Sequence, residues 1–492
     1  MILMARFWVI AILSAISFGA DWPQFRGLNG SGVGDARHLP AEFGPDKNVV
    51  WKTALPLGYS SPVISGNRIF LTGIEGGAIA QVEGEKDKWV HKGGRLYTIA
   101  LDRLTGRTVW KQEVPRDRVS QLQTNNSAAT PSAATDGENV FVYFQDFGLV
   151  GYTRNGKERW RLPVGPFNNM NGAGSSPIVF RDLVYLVCDQ DSGGSYLLAV
   201  DKNTGKERWR ARRPEATRSY ITPAVFQPAR GEPELILPGP YNVTAYYAAT
   251  GEKAWWVTGF CWHPKTVPVI DGDTIYVAAA ESGGDNENRP KQPNFGELLS
   301  AHDANHDGKL TVAEVEGDRK LQSLLPKIDL DTNGFLEEQE WDFYRARMAS
   351  QNSLMAIRHG GTGDVTATNV LWRLTKFVPR CTSPLLYEGV LYMIREGGIL
   401  TAVDPKTGKI LKQGRLTGAL DDYYASPVAG DGKVYLLSQQ GKATVIKAGA
   451  DWEILSVNDL DDITYSTPAI VGDNIYLRTK NTLYCFTDKS SR

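Results

Sequence analysis

The chain has 492 residues, and its 54 Lys plus Arg nearly balance 55 Asp plus Glu, leaving a formal net charge of −1. That balance removes the basic excess that would draw the molecule onto nucleic acid or an anionic lipid surface. Hydrophobic residues at 42% and aromatics at 10% suffice for a large core, and 50 Gly with 26 Pro, lacking a collagen period, indicate many turns between short strands.

Residues 1–20 carry Arg6, an apolar run from Phe7 to Ile16 and then Ser17, Gly19 and Ala20, the pattern of a removed secretory signal. The run is shorter than the roughly 20 apolar residues a bilayer-spanning helix requires, and no later segment is long enough either. A lipoprotein is disfavoured because the first cysteine is Cys188. The expected location is the periplasm or the outside of the cell. Cys188, Cys261, Cys381 and Cys485 form no CxxC pair and no haem attachment sequence. They are expected as small buried hydrophobes, although an exported protein permits one or two bridges.

A small residue followed by Pro, alternating apolar residues, a Gly or Asp turn and a Tyr- or Phe-containing strand recurs along the rest of the chain. The prolines are Pro62, Pro131, Pro177, Pro223, Pro268, Pro384, Pro427 and Pro468, at steps of 69, 46, 46, 45, 116, 43 and 41 residues. Each unit continues into a second half, as in Leu96 to Trp110, Leu149 to Trp160, Leu197 to Trp209, Val243 to Trp255 and Leu400 to Leu411. There a strand runs into Asp-x-x-Thr-Gly or a relative, the Gly supplies positive φ for a tight hairpin, and the next strand generally ends in Trp. Four strands per roughly 45 residues is a propeller blade. The last copy stops one strand short, while Asn48 to Thr53 precedes the first copy as an unattached Trp-containing strand. The expected fold is all-β, an eight-bladed β-propeller closed by its N-terminal strand, because closure removes open sheet edges.

The hairpins Ala100-Leu101-Asp102 to Trp110 and Ala199-Val200-Asp201 to Trp209 resemble those of the PQQ-like repeat propellers, and Asp21-Trp22-Pro23-Gln24-Phe25-Arg26-Gly27 is similar to the N-terminus of exported members. The resemblance covers about residues 21 to 492 apart from inserts. It implies the fold and leaves the activity open, since quinoprotein dehydrogenases and outer-membrane assembly scaffolds share it.

The step of 116 holds a small α-helical insertion. Asp303 to Glu314 and Asp329 to Glu340 both fit the EF-hand loop. Side-chain oxygens come from Asp303, Asn305 and Asp307, or from Asp329, Asp331 and Asn333; the backbone carbonyl of Lys309 or Phe335 follows, and Glu314 or Glu340 closes the shell. Gly308 and Gly334 make the sharp bend, and Leu310 and Leu336 are placed to pack together. Ca2+ takes about six to eight oxygens, which such a loop gathers, so two Ca2+ sites are expected. The expected helices are Phe295 to His302, Val312 to Leu325 and Glu337 to Ser350, with Pro326 arguing against a long rigid helix entering the second loop. The chain therefore divides into a signal over 1–20, propeller over 21–285, the EF-hand pair over 290–352 and propeller over 365–492. The other excess, Glu75 to Gly94, is expected to be a surface loop.

Loops entering the innermost strands converge on the channel mouth. The residues ahead of each Pro, namely Tyr59, Asn126, Asn171, Arg218 with Tyr220, His263, Arg380, Asp422 with Tyr423, and Tyr465, are expected to ring it. Arg218, Arg380 and His263 suit a polar or anionic ligand. A PQQ enzyme needs a Ca2+ held beside the quinone and an Asp base; in the alcohol dehydrogenases the resemblance also implies an adjacent Cys-Cys pair and a Trp stacked on the ring. This chain has no Cys-Cys pair, and the spacing of Trp262 and Asp422 does not enforce the other roles. There is no nucleophile elbow, HExxH motif or phosphate loop. The leading expectation is thus a non-catalytic, exported, calcium-binding scaffold for a protein or polar small molecule, without nucleic acid and without a membrane span. A PQQ-dependent oxidoreductase acting on alcohols or sugars is the alternative.

Overall fold

The computed structural model describes residues 21–85, 88–191, 193–281, 284, 286 and 291–490; the expected signal lies outside them. Among the described residues no helix is long and apolar enough to cross a membrane. The architecture is a β-propeller fold in which eight antiparallel sheets carry four main strands each. A representative sheet comprises Ile178–Phe180, Leu183–Cys188, Tyr196–Asp201 and Glu207–Arg212, paired in that order. The alternating repeat explains the layering: central strands such as Asn139–Phe144 are buried throughout, while outer strands such as Thr108–Val114 bury one face around a Trp. The sheet that begins with Ala469–Val471 takes its fourth strand from Val49–Ala54, which pairs with Thr482–Thr487.

The recurring Thr-Gly and Trp do more than form hairpins. The Gly residues have the expected positive φ, +70° at Gly106 and +69° at Gly205. Each also serves as a seat for the Trp of the preceding sheet. A Cβ added at Gly156 would lie 2.7 Å from the Trp110 ring, at Gly205 2.6 Å from Trp160, at Gly251 2.5 Å from Trp209 and at Gly408 2.6 Å from Trp372. The Trp160 indole N–H donates to Lys202 O at 2.9 Å and that of Trp372 to Pro405 O at 3.0 Å. Trp51 of the N-terminal strand repeats the contact against Gly106, with its N–H on Arg103 O at 3.1 Å. We expect Gly205→Ala to destabilise by about 2 kcal/mol or more, combining left-handed strain with overpacking. Gly272, at φ +58° with nothing within 4 Å of an added Cβ, isolates the strain alone. Equal losses for Gly205→Ala and Gly272→Ala in urea unfolding would refute the seat.

The inner ends of the sheets are joined by a second repeated contact. The N–H of Ser61 donates to Ser132 Oγ, Ser132 to Ser176, and Ser176 to Thr222, at 2.9, 3.0 and 3.1 Å. Val267 donates to Ser383, Ser383 to Ser426, Ser426 to Thr467, and Thr467 back to Ser61, at 3.0, 3.0, 3.0 and 2.9 Å. The missing link falls at Val267, which has no hydroxyl to accept from Thr222. This register corrects the second repeat: Ser132-Ala133 stands where the other copies have Ser/Thr/Val-Pro, so Pro131 is displaced by two residues.

Three further expectations change. Ser353–Arg358 pairs with Thr274–Ala279, so the fifth sheet resumes upstream of residue 365. Glu75 to Gly94 is not a loop: Ala78–Gln81 and Trp89–Lys92 form a small sheet with Gln121–Leu122, and His91 inside it is buried, its Nε2 3.1 Å from Gly76 O. In the insertion, α1 (Phe295–His302) is as expected and α3 (Glu338–Ala349) agrees within a residue, but α2 spans Arg319–Ile328. It starts late because Gly317 breaks the chain at φ +101° and Asp318 caps the N–H groups of Lys320 and Leu321. It also runs through Pro326, near its C-terminal end, where only one backbone donor is forfeited. No disulfide forms; Cys188, Cys261 and Cys485 are buried and Cys381 is half-buried.

Candidate functional site

The register of the hydroxyl ring defines the channel mouth. Two residues before each ring position stand Tyr59, Thr130, Gly174, Tyr220, Lys265, Cys381, Tyr424 and Tyr465, and all eight line one cavity of about 330 Å³. Each sheet contributes one of them, and Gln123, Asn125, Asn126, Asn171 and Ala173 complete the wall. The remaining lining residue, Phe25, comes from the N-terminal segment. That segment hydrogen-bonds inner strands on several sides: Trp22 with Ile64, Pro23 O with Thr135 N at 2.8 Å, Asn29 with Val225, Arg26 Nη2 with Pro384 O at 2.9 Å, and Gly32 O with Ala429 N at 2.9 Å. Touching opposite sides of the ring, it must cross the channel below the mouth. The cavity is therefore a cup with Phe25 in its floor.

Tyr59, Tyr465 and Tyr424 form a continuous aromatic arc, with ring centroids 4.4 and 5.2 Å apart. The Tyr424 hydroxyl accepts from Asn125 Nδ2 at 3.0 Å and the Tyr465 hydroxyl from Gln439 Nε2 at 2.7 Å, so each keeps its own proton to donate. Burial pushes Tyr59 up to about 12 and raises Tyr424 and Tyr465, which keeps these hydroxyls protonated at neutral pH. Among the described residues Lys265 is the only charged side chain in the lining and has no ion-pair partner; its Nζ lies 3.3 Å from His263 O and 3.4 Å from His263 Nδ1.

Of the expected ring, Tyr59, Asn126, Asn171, Tyr220 and Tyr465 reach the cup, and Arg218, His263, Arg380, Asp422 and Tyr423 do not. Arg218 pairs with Asp191, both largely buried, and stands 5.1 Å from the Trp262 ring. His263 lies between Trp262 and Tyr220, with ring centroids 4.8 and 5.2 Å away. Burial, reinforced by Lys265, Arg218 and Arg347, lowers its pKa well below the ordinary imidazole value, so it is neutral and offers no charge to an anion. Arg380 is spent on Glu396, Asp422 is exposed, and Tyr423 is buried with its hydroxyl on Ala419 O at 2.8 Å. Lys265, Tyr424 and Cys381 were missed; counting two back from the hydroxyl, instead of reading the loop as a whole, would have found them.

The two acidic loops pair back to back. Leu310 N donates to Leu336 O at 3.1 Å and Leu336 N to Leu310 O at 2.7 Å, with both side chains buried. Gly308 N donates to Asp303 Oδ2 at 3.0 Å and Gly334 N to Asp329 Oδ2 at 2.9 Å, curling each loop inward. In the second loop, oxygens of Asp329, Asp331 and Glu340 all lie within 4.8 Å of one another. In the first, Asp303 Oδ1 and Glu314 Oε1 are buried without a hydrogen-bond partner. Orphaned carboxylate oxygens of this kind suit a cation, and the donor set is all oxygen, as a hard ion such as Ca2+ requires. Asn305, Asp307 and Asn333 lie exposed on the same turns. The insertion is anchored beside the mouth: Asn168 Nδ2 donates to Leu330 O at 2.8 Å, Tyr241 Oη to Phe343 O at 3.0 Å, and Arg347 stands 3.9 Å from the Trp262 ring.

No curated protein matches this sequence. Among solved structures, BamB from Moraxella catarrhalis is similar at 10% identity, covering 84% of this chain and 99% of that one, with a TM-score of 0.49. A europium-containing methanol dehydrogenase gives 11% identity, 88% and 90% coverage and a TM-score of 0.42. A quinohemoprotein alcohol dehydrogenase from Comamonas testosteroni gives 12%, 96%, 81% and 0.44. The model of the PQQ-repeat family described as outer membrane protein assembly factor BamB matches residues 43–224 and 348–492, around the helical insertion, and the chain belongs to that family.

Proposed function

We propose that this protein is an exported, calcium-binding scaffold: a closed eight-bladed propeller that takes a small polar ligand, or a projecting side chain of a protein partner, in its axial cup. The single observation that carries the reading is the cup itself, walled by one residue from each sheet and floored by Phe25. Closure is supported by the Val49–Ala54 ladder, by Trp51 on Gly106 and by the Thr467 to Ser61 link. The family description supports a protein partner.

Two EF-hand loops hold Ca2+ in this reading, through Asp303, Asn305, Asp307, Lys309 O and Glu314, and through Asp329, Asp331, Asn333, Phe335 O and Glu340. Calorimetry on the whole protein should show saturable Ca2+ binding that is lost when Asp303→Ala and Asp329→Ala are combined. Absence of heat in the parent sinks the calcium reading.

The alternative is PQQ-dependent oxidation of alcohols or sugars. The lining residues do not fit that cofactor as the family holds it: the cup contains no Asp or Glu to carry Ca2+ beside a quinone or to act as base, and Cys381 has no adjacent cysteine. Titration with PQQ plus Ca2+ tests it. Saturable binding followed by dye-linked alcohol oxidation would overturn the scaffold reading.

A further inference from the structure

The cup is unevenly furnished, and the unevenness points to a ligand class. The wall holds the aromatic arc of Tyr59, Tyr465 and Tyr424, the side-chain amide of Asn125 hydrogen-bonded to Tyr424, the amide of Gln123, and Lys265. An aromatic face suits a flat apolar surface, including the C–H face of a pyranose. Amides next to it donate and accept at once, as neighbouring hydroxyls require. The free protons of the Tyr424 and Tyr465 hydroxyls and the Lys265 ammonium tip the balance towards donors, in a lining with no carboxylate. Such a wall repels a cationic ligand, leaves a neutral one without a counterpart for the ammonium, and matches a ligand rich in acceptors with one negative charge. A cavity of about 330 Å³ lies at the small end of the ligand-pocket range, room for a single sugar ring with its substituents.

We propose that the axial cup binds an acidic sugar, its carboxylate on Lys265, its hydroxyls on Gln123 and Asn125, and its C–H face on the tyrosine arc. This rests on the reading of the cup as a ligand site. Arg380 pairs with Glu396 at 3.5 Å and Asp422 is exposed, and neither lines the cup, so Lys265 is the positive charge in the lining itself. An aromatic carboxylate shares the charge and the flat face but lacks the several neighbouring hydroxyls of a sugar ring, which gives the test its second arm.

Calorimetry or saturation-transfer NMR on the full-length mature protein would compare D-glucuronate, D-glucose and 4-hydroxyphenylacetate. Glucuronate should bind at least about tenfold tighter than glucose, and Lys265→Met should remove that preference while leaving the weak glucose signal. Tyr465→Ala, in a protein whose circular dichroism is unchanged, should weaken both sugars. Tighter binding of 4-hydroxyphenylacetate than of glucuronate overturns the sugar assignment, and equal affinity for glucuronate and glucose overturns the acidic one. If no probe binds while native mass spectrometry of purified protein shows a bound small molecule that Tyr465→Ala releases, the sugar class fails and the cup reading survives. No probe and no bound molecule sinks both.

Discussion

Asp189→Ala will lower the unfolding free energy by about 3–5 kcal/mol, because it strands a buried guanidinium without its counter-ion. Arg213 Nε and Nη2 donate to the two oxygens of Asp189 at 2.8 and 3.2 Å, and both side chains are at most 2% exposed. Tyr246 Oη accepts from Arg213 Nη1 at 2.9 Å, and Ser219 Oγ donates to Asp189 Oδ2 at 2.6 Å. These groups tie the third sheet to the fourth, so the loss should appear as a lower urea midpoint for the whole propeller. Asp189→Leu combined with Arg213→Met should recover most of it, since an apolar pair can replace a buried ion pair at little cost. A loss below about 1 kcal/mol for the single variant would show that water reaches this pair.

Arg478→Met comes second and tests the seam between the first and last sheets. Arg478 is fully buried and has no carboxylate partner among the described residues, and burial pulls its pKa down to about 9. It is held instead by oxygens: Nη1 donates to Ser60 Oγ at 2.6 Å and Thr72 O at 2.8 Å, and Nη2 to Pro56 O at 3.1 Å. Removing it leaves several buried acceptors unsatisfied, each a penalty of about 1–3 kcal/mol, offset in part by no longer burying a charge. The expected net loss is about 3 kcal/mol, with the N-terminal strand becoming sensitive to protease first. Unchanged stability together with unchanged proteolysis would mean that the seam does not depend on this side chain.

Much of the fold could be read from the chain because its determinants are local and repeated. Alternating apolar residues set the buried central strands, Thr-Gly sets the hairpins, and the orphan strand at Val49–Ala54 completes the short last copy. The helical insertion was legible for the same reason, although Gly317 and Asp318, rather than Pro326, decided the limits of α2. Reading Ala133 as the partner of Pro62 was harder. One displaced proline misled the register, and only the hydroxyl ring restored it.

The site was legible in place but not in membership. The sequence by itself pointed to the loops ahead of the innermost strands, to two acidic loops lying together, and to Tyr59, Asn126, Asn171, Tyr220 and Tyr465, which line the cavity. Only the tertiary structure decided which charges face the cup, because that depends on partners distant in the chain. Arg218 is held by Asp191 and Trp262 away from the cup lining, and Arg380 pairs with Glu396. Burial among cations keeps His263 neutral, and Lys265 is the charged side chain that lines the cup. Pairing and desolvation are properties of neighbours in space, and no spacing along the chain records them.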